Sequence, residues 1–123
     1  MLFNVNWSWY EDYNINILEH SDKTNEQFEK DCVYAAREVG ESYIKNEECW
    51  VGVNSWIDII AEYLIDNLGY TKPVINYWGH FGSYIINYKD PPGDDDKKWK
   101  KIVGKKLMDK AVEKNKKIDK KIF

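Results

Sequence analysis

The sequence of 123 residues has little of what several protein classes require. Its two cysteines, Cys32 and Cys49, are too few for a disulfide scaffold or a zinc site. No apolar run approaches the ~20 residues that a membrane-spanning helix needs, and the first residues lack the basic and apolar regions of a signal peptide. We therefore expect a cytoplasmic protein without disulfides or membrane contact, folded as one domain.

Catalytic motifs are also missing. The chain has neither a Gly-Lys-Ser/Thr phosphate loop nor a Gly-x-Ser-x-Gly nucleophile elbow. Its two histidines, His20 and His80, have no partners at metal-ligand spacing, and Cys32 lies on an apolar helical stripe, as a core residue would. The sequence predicts no catalytic residue, no cofactor and no metal. A small enzyme that uses unrecognised carboxylates is our third interpretation.

What the chain has instead is aromatic residues and segregated charge. It contains 19 aromatic residues, six of them Trp, which suit both cores and binding faces. Residues 1–96 carry 18 acidic and 6 basic side chains, whereas residues 97–123 carry 3 acidic and 12 basic ones. This pattern predicts an acidic body with a basic C-terminal helix, whose fields select partners by charge.

Hydrophobic periodicity predicts an α+β fold of order ββααββα. Strict alternation over 3–9 and 13–17 indicates a hairpin. A capping box at Thr24 and Gln27 starts a helix that Gly40 bends or ends, and a second helix opens at Asn54 or Ser55 and closes at Leu68-Gly69. Strands follow at 74–78 and 83–88, and a third helix begins after Asp94-Asp95-Asp96.

The four strands predict a mainly antiparallel sheet with the helices packed on one face. A mixed sheet, with a parallel pair across the two central helices, is the alternative. The apolar stripe of the last helix thins after Val112. We therefore expect a globular domain over 1–112 and a frayed, basic helix end over 113–123.

The acidic body is the predicted working surface. Acidic residues near the hairpin, combined with exposed aromatic rings, suit a basic partner protein such as a toxin or a host enzyme. The predicted partner-binding residues are Tyr10, Glu11, Asp12, Tyr13, Glu19, Asp22 and Phe81. Plain solubility is the alternative reading of these charges.

The basic helix supports a second interpretation, a non-specific nucleic-acid-binding accessory protein. The predicted phosphate contacts are Lys105, Lys106, Lys116, Lys117, Lys120 and Lys121. The only arginine, Arg37, lies in the acidic part, and base-edge recognition depends on bidentate arginine. Any such binding is therefore expected to be weak and independent of nucleic-acid sequence.

Lys, Ile and Asn make up 41 of the 123 residues, and their AT-rich codons indicate an AT-rich genome. In this general character the chain resembles accessory proteins of phages and mobile elements, and immunity proteins. The leading hypothesis is a non-enzymatic protein that neutralises a partner protein by stoichiometric occlusion, as anti-defence inhibitors and toxin-immunity proteins do.

Overall fold

A computed structural model describes residues 2–9, 12–73, 84–88 and 97–122. The elements are β1 (Leu2–Trp9), β2 (Asp12–Glu19), α1 (Asn25–Asn46), α2 (Val53–Asn67), β3 (Tyr84–Tyr88), α3 (Lys97–Val103) and α4 (Lys105–Ile122). None of the helices in these ranges has the length and apolar character needed to cross a bilayer.

The strands form a mixed sheet of order β2-β1-β3. β1 pairs with β2 antiparallel, with Phe3 opposite Leu18, and with β3 parallel, with Val5 opposite Ile86. β1 is central because β2 and β3 pair with its two edges. Its faces are also covered, since Phe3 and Val5 are fully buried on one side and Asn4 is 6% exposed on the other.

The predicted four-stranded antiparallel sheet of order ββααββα is therefore wrong. The fold is α+β, but its described part has one antiparallel strand pair, a parallel third strand and four helices. The chain leaves β2, passes through α1 and α2, and returns beside β1 in the same direction, as a parallel pairing requires. The alternative prediction, a mixed sheet with a parallel strand pair across the two central helices, included this parallel pairing. The predicted strand over 74–78 and the turn after it lie outside the described residues.

The sheet packs on the helices through a cluster of aromatic rings. Phe3 of β1 stacks on Phe28 of α1 at 4.5 Å between ring centroids. Tyr70, which follows α2, meets Phe3 edge-on at 5.9 Å. Such offset and edge-to-face pairs add to the stabilisation that burial of the rings provides.

The two central helices begin and end close to their predicted positions. Thr24 and Gln27 form the predicted capping box of α1. α2 begins at Val53, one or two residues before the predicted start. Gly69 follows its end at φ +79°, a left-handed conformation that favours glycine.

Gly40 does not end α1, since the helix continues to Asn46. It lies instead where α1 passes between Trp56 of α2 and Leu107 of α4. α1 thus contacts every other described helix: α2, α3 and α4. Glycine at this crossing lets three helices approach closely.

The predicted third helix is two helices, because Gly104 at φ +89° separates α3 from α4. Arg37 of α1 stabilises the end of α3: its Nε donates to the carbonyl of Ile102 at 3.2 Å, and a second guanidinium nitrogen donates to that of Lys101 at 3.4 Å. A cation at a helix C-terminus also interacts favourably with the helix dipole.

α4 continues through the segment 113–123 that the sequence predicts to fray, and is helical to Ile122. Asn115 is buried there, and its amide group exchanges two hydrogen bonds with the backbone of Val51. The division into 1–112 and 113–123 stays a prediction, although these contacts lie three residues beyond its boundary.

Candidate interaction surfaces

The predicted partner-binding residues are only partly described by the structure. Tyr10, Glu11 and Phe81 lie outside the described residues, and only the backbone of Asp12 and Tyr13 is described, at the start of β2.

Glu19 and Asp22, two further predicted partner-binding residues, are exposed near the end of β2. Glu19 exchanges backbone hydrogen bonds with Thr71, and the backbone N–H of Asp22 donates to Nδ1 of His20.

Two contacts show how the hairpin lies relative to α2. Asn16 of β2 donates to Asp58 early in α2 at 3.0 Å, whereas Glu19 at the end of β2 pairs with Thr71 beyond the end of that helix. β2 and α2 therefore run in the same direction. The hairpin end of the sheet, where Asp12 begins β2, lies toward the start of α2.

A groove of 570 Å³, here called the acidic groove, runs between α1 and α2. Val39, Tyr43 and Ile59 supply its apolar lining, and its described lining residues include no lysine or arginine. The carboxylates that line it are those of Glu38, Glu47 and Asp58.

Two of these carboxylates are held in place by the fold. Asp58 Oδ1 accepts the hydrogen bond from Asn16, and Glu47 Oε1 accepts one from the backbone N–H of Cys49 at 3.2 Å. Glu38 lies on the exposed side of α1. The groove thus combines a fixed negative potential with one carboxylate that a ligand can reach.

Two tyrosines face each other across α1 and α2, beside Glu38. The rings of Tyr34 and Tyr63 lie 6.1 Å apart at an angle of 58°. Tyr34 is 50% exposed, whereas Tyr63 is partly buried against the core. Desolvation, the hydrogen bond with Tyr34, and the charges of Tyr34 and Glu38 raise the pKa of the Tyr63 hydroxyl.

Sequence reasoning missed this tyrosine pair. Tyr34 lies off the apolar stripe of α1 and precedes Glu38 by four residues, which places both on one helix face. That spacing was readable, but the contact with Tyr63 depends on how α1 and α2 pack.

A second groove, of 350 Å³, lies between the end of α1 and α4. Four lysines line it: Lys45, Lys110, Lys114 and Lys117. Lys110 pairs with Glu41 at 3.0 Å and Lys117 with Glu113 at 3.4 Å. The ammonium group of Lys114 donates to the carbonyls of Ile44 and Glu47 at the end of α1. Three of the four lysines therefore have contacts within the molecule.

The predicted phosphate-contact lysines all lie on α4. Lys105 and Lys106 are exposed at its start, and Lys116, Lys117, Lys120 and Lys121 are exposed near its end. The hydrogen bond and the charge of Lys110, with a further contribution from Lys106, lower the pKa of Glu41. The start of α4 thus acts electrostatically on α1.

The described residues contain no group of three His, Cys, Asp or Glu side chains that could hold a metal ion. Burial, together with the nearby charges of Asp31 and Glu29, raises the pKa of the Cys32 thiol well above its ordinary value. Cys32 is therefore a poor nucleophile. His80 lies outside the described residues.

The groove between α1 and α2 is thus lined by carboxylates without lysine or arginine among the described residues, whereas the grooves between α1 and α4 hold lysines together with carboxylates. No family model, curated protein or solved structure matches this chain significantly.

Proposed function

We propose that this protein is a non-enzymatic inhibitor or immunity protein that neutralises a basic partner protein by stoichiometric occlusion. The partner docks on the acidic groove between α1 and α2. The observation that carries the proposal is the lining of this groove, which includes three carboxylates and, among the described residues, no lysine or arginine. Lysines of α4 line neighbouring grooves, one of which shares Glu38 with the acidic groove.

The groove and its surroundings offer two contributions to protein binding, electrostatic attraction and apolar contact area. Its charge steers a basic partner and accelerates association. The neighbouring pair of Tyr34 and Tyr63 supplies apolar area of the kind that forms binding hot spots. β2 begins toward the start of α2. Glu11 and Asp12, whose side chains lie outside the described structure, stay predicted partner-binding residues.

The proposed biological setting follows from composition. The AT-rich codon usage and the acidic, aromatic character favour an anti-defence protein of a phage or mobile element, or the immunity partner of a toxin. Both act in the cytoplasm on a protein whose own site binds nucleic acid or another anion. An acidic surface that occupies such a basic site blocks it by steric occlusion, without a catalysed reaction.

Affinity capture with matched charge reversals tests the proposal. The wild-type protein, Glu38→Lys and Glu29→Lys are each immobilised and exposed to lysate of the source organism at low salt. Glu29 is the control, since it is an exposed acid of α1 that lies in the groove facing α3. The wild type and Glu29→Lys should retain the same basic protein at a 1:1 ratio. Glu38→Lys should bind it at least about tenfold more weakly.

Binding kinetics then separate the two contributions. Charge reversal at Glu38 should mainly slow association, whereas Tyr34→Ala should mainly speed dissociation. Equal retention of the partner by Glu38→Lys and the wild type would show that the acidic groove is not the docking surface.

A second function, non-specific nucleic-acid binding, is favoured by the exposed lysines of α4. Of these, Lys116, Lys120 and Lys121 lie near one end of the helix. The guanidinium of Arg37 donates to carbonyls of α3, so it is not placed for base recognition. Replacing the three lysines with Gln should abolish salt-dependent DNA retention under this function. It should leave partner capture intact under the leading one.

A further inference from the structure

We infer that Tyr34, Tyr63 and Glu38 form an arginine-binding corner, so the basic partner engages the acidic groove with an arginine rather than a lysine. This inference rests on the proposed function and names the chemistry of the partner residue at its centre.

The corner has one fixed side and one accessible side. Tyr63 packs against the core from α2, which holds its ring in place. Tyr34 is half exposed, and its ring lies 6.1 Å from that of Tyr63 at a 58° tilt. A flat group entering from solvent can therefore stack on the Tyr34 ring while one edge rests against Tyr63.

The position of Glu38 supplies the second requirement. It follows Tyr34 by four residues on α1, so its carboxylate lies one helical turn along the same face. Its charge also acts on the Tyr63 hydroxyl. A cation stacked on Tyr34 is thus within the reach of an exposed carboxylate.

Guanidinium fits this combination better than ammonium. It is planar, weakly hydrated and able to stack on an aromatic face while two of its N–H groups bond to a carboxylate. An ammonium group is a compact, strongly hydrated point charge, which gains less from the ring and cannot form the bidentate pair. The corner therefore discriminates between the two basic side chains.

The described residues lining the acidic groove include neither lysine nor arginine. Arg37, the only arginine, neighbours Glu38 in sequence but points its guanidinium to the end of α3. Glu38 also lines a neighbouring groove with Lys105 and Lys106 at the start of α4, but the ion pairs of the described residues do not include Glu38.

Calorimetric titration of the full chain with nona-arginine and nona-lysine peptides at low salt tests the inference. The peptides carry equal charge, so a simple acidic surface binds them alike. The corner predicts about tenfold tighter binding of nona-arginine. Tyr34→Ala should reduce that preference to about twofold or less, whereas Tyr34→Phe, which keeps the ring, should retain it.

Two further variants, Glu38→Gln and its control Glu29→Gln, are titrated with the same peptides. Near-ultraviolet circular dichroism checks that each variant is folded. Glu38→Gln should weaken both peptides, nona-arginine more strongly, and Glu29→Gln should change neither by more than about twofold. Suppose that the wild type binds both peptides with equal affinity and that Glu38→Gln weakens both to the same extent. The arginine corner is then wrong, and the proposed docking groove stands. If neither peptide binds, or Glu38→Gln changes neither, both proposals fail.

Discussion

At the scale of single residues, Gly40 controls how closely the helices approach. A Cβ atom at this position would lie 2.8 Å from Leu107 Cδ1 and 2.8 Å from Trp56 Cζ2. The Leu107 side chain can rotate, but the indole of Trp56 is fully buried and fixed by its neighbours. Because Gly40 has no side chain, α4 and α2 can pack closely against α1.

Gly40→Ala should lower the free energy of unfolding by about 1 kcal/mol. Overpacking costs about 1–3 kcal/mol, and the higher helix propensity of alanine offsets about 1 kcal/mol of it. Urea denaturation followed by circular dichroism measures the change, with Ser42→Ala on the exposed side of α1 as a control that should stay within about 0.5 kcal/mol. A more stable Gly40→Ala variant would contradict the close three-helix crossing.

Tyr70 makes stability depend on pH in the alkaline range. Its hydroxyl donates to Asp31 at 2.7 Å, and Asp31 also pairs with Lys23. Burial, then the hydrogen bond to Asp31 and its charge, raise the pKa of Tyr70 in the folded protein. Above the ordinary tyrosine pKa of about 10 the unfolded chain ionises while the folded one does not. The stabilisation is complete below that pH and is lost as pH rises above it.

Tyr70→Phe should therefore lower the free energy of unfolding by about 1–2 kcal/mol near neutral pH. The difference from wild type should shrink between about pH 9 and 11. Urea titrations across this range measure it. A difference that stays constant with pH would show that Tyr70 is not protected from ionisation by folding.

At the scale of elements, α4 is attached to the connector between α1 and α2 by side chains from its second half. Asn115 satisfies both backbone groups of Val51, at 2.7 and 3.2 Å. Lys114 donates to carbonyls at the end of α1. Further along, Asp119 accepts from the exposed indole of Trp50 at 2.9 Å. The buried contacts come before residue 116, and the solvent-exposed one comes after it.

Two truncations distinguish these contacts. A chain ending at Val112 should lose about 2–4 kcal/mol, because the buried N–H and C=O of Val51 lose their partners. A chain ending at Lys116 keeps Asn115 and should lose about 1 kcal/mol or less. Thermal unfolding of both chains measures the difference. Equal stability of the two would place the boundary of the docked chain at or before Val112.

At the scale of the whole molecule, α1 is the layer on which the rest is assembled. Phe28 at its start meets the sheet, Arg37 past its middle bonds to the end of α3, and Gly40 in its second half meets α2 and α4. Its buried stripe includes Cys32, which is 1% exposed, whereas Cys49 in the connector is exposed. The two thiols therefore report on different parts of the molecule.

A thiol reagent at pH ~8 should modify Cys49 at once and Cys32 only as fast as the protein unfolds. Burial protects Cys32 and raises its pKa. In the Cys49→Ser variant, the extent of Cys32 labelling is measured at increasing urea concentration. This labelling curve should coincide with the loss of the circular dichroism signal. Rapid labelling of Cys32 without denaturant would show that α1 separates from the core independently of global unfolding.

Features that depend on neighbouring residues could be predicted from the sequence alone. The alternation over 3–9 predicted β1, and the capping box of Thr24 and Gln27 predicted the start of α1. Leu68-Gly69 predicted the end of α2. Caps, turns and hydrophobic periods act over one or two turns of chain, so they are readable without knowledge of the partners.

Features that join distant parts of the chain depend instead on how the helices and strands pack. Parallel pairing of Phe3 with Tyr84 spans eighty-one positions, and neither strand's own alternation specifies its neighbour or direction. The roles of Gly40 and Arg37, and the meeting of Tyr34 with Tyr63, likewise depend on where α1 lies relative to the other helices. The sequence predicted an acidic surface bearing aromatic rings, because charge and ring content are compositional. Which rings and carboxylates lie near one another was settled by helix packing, whose contacts lie far apart in the chain.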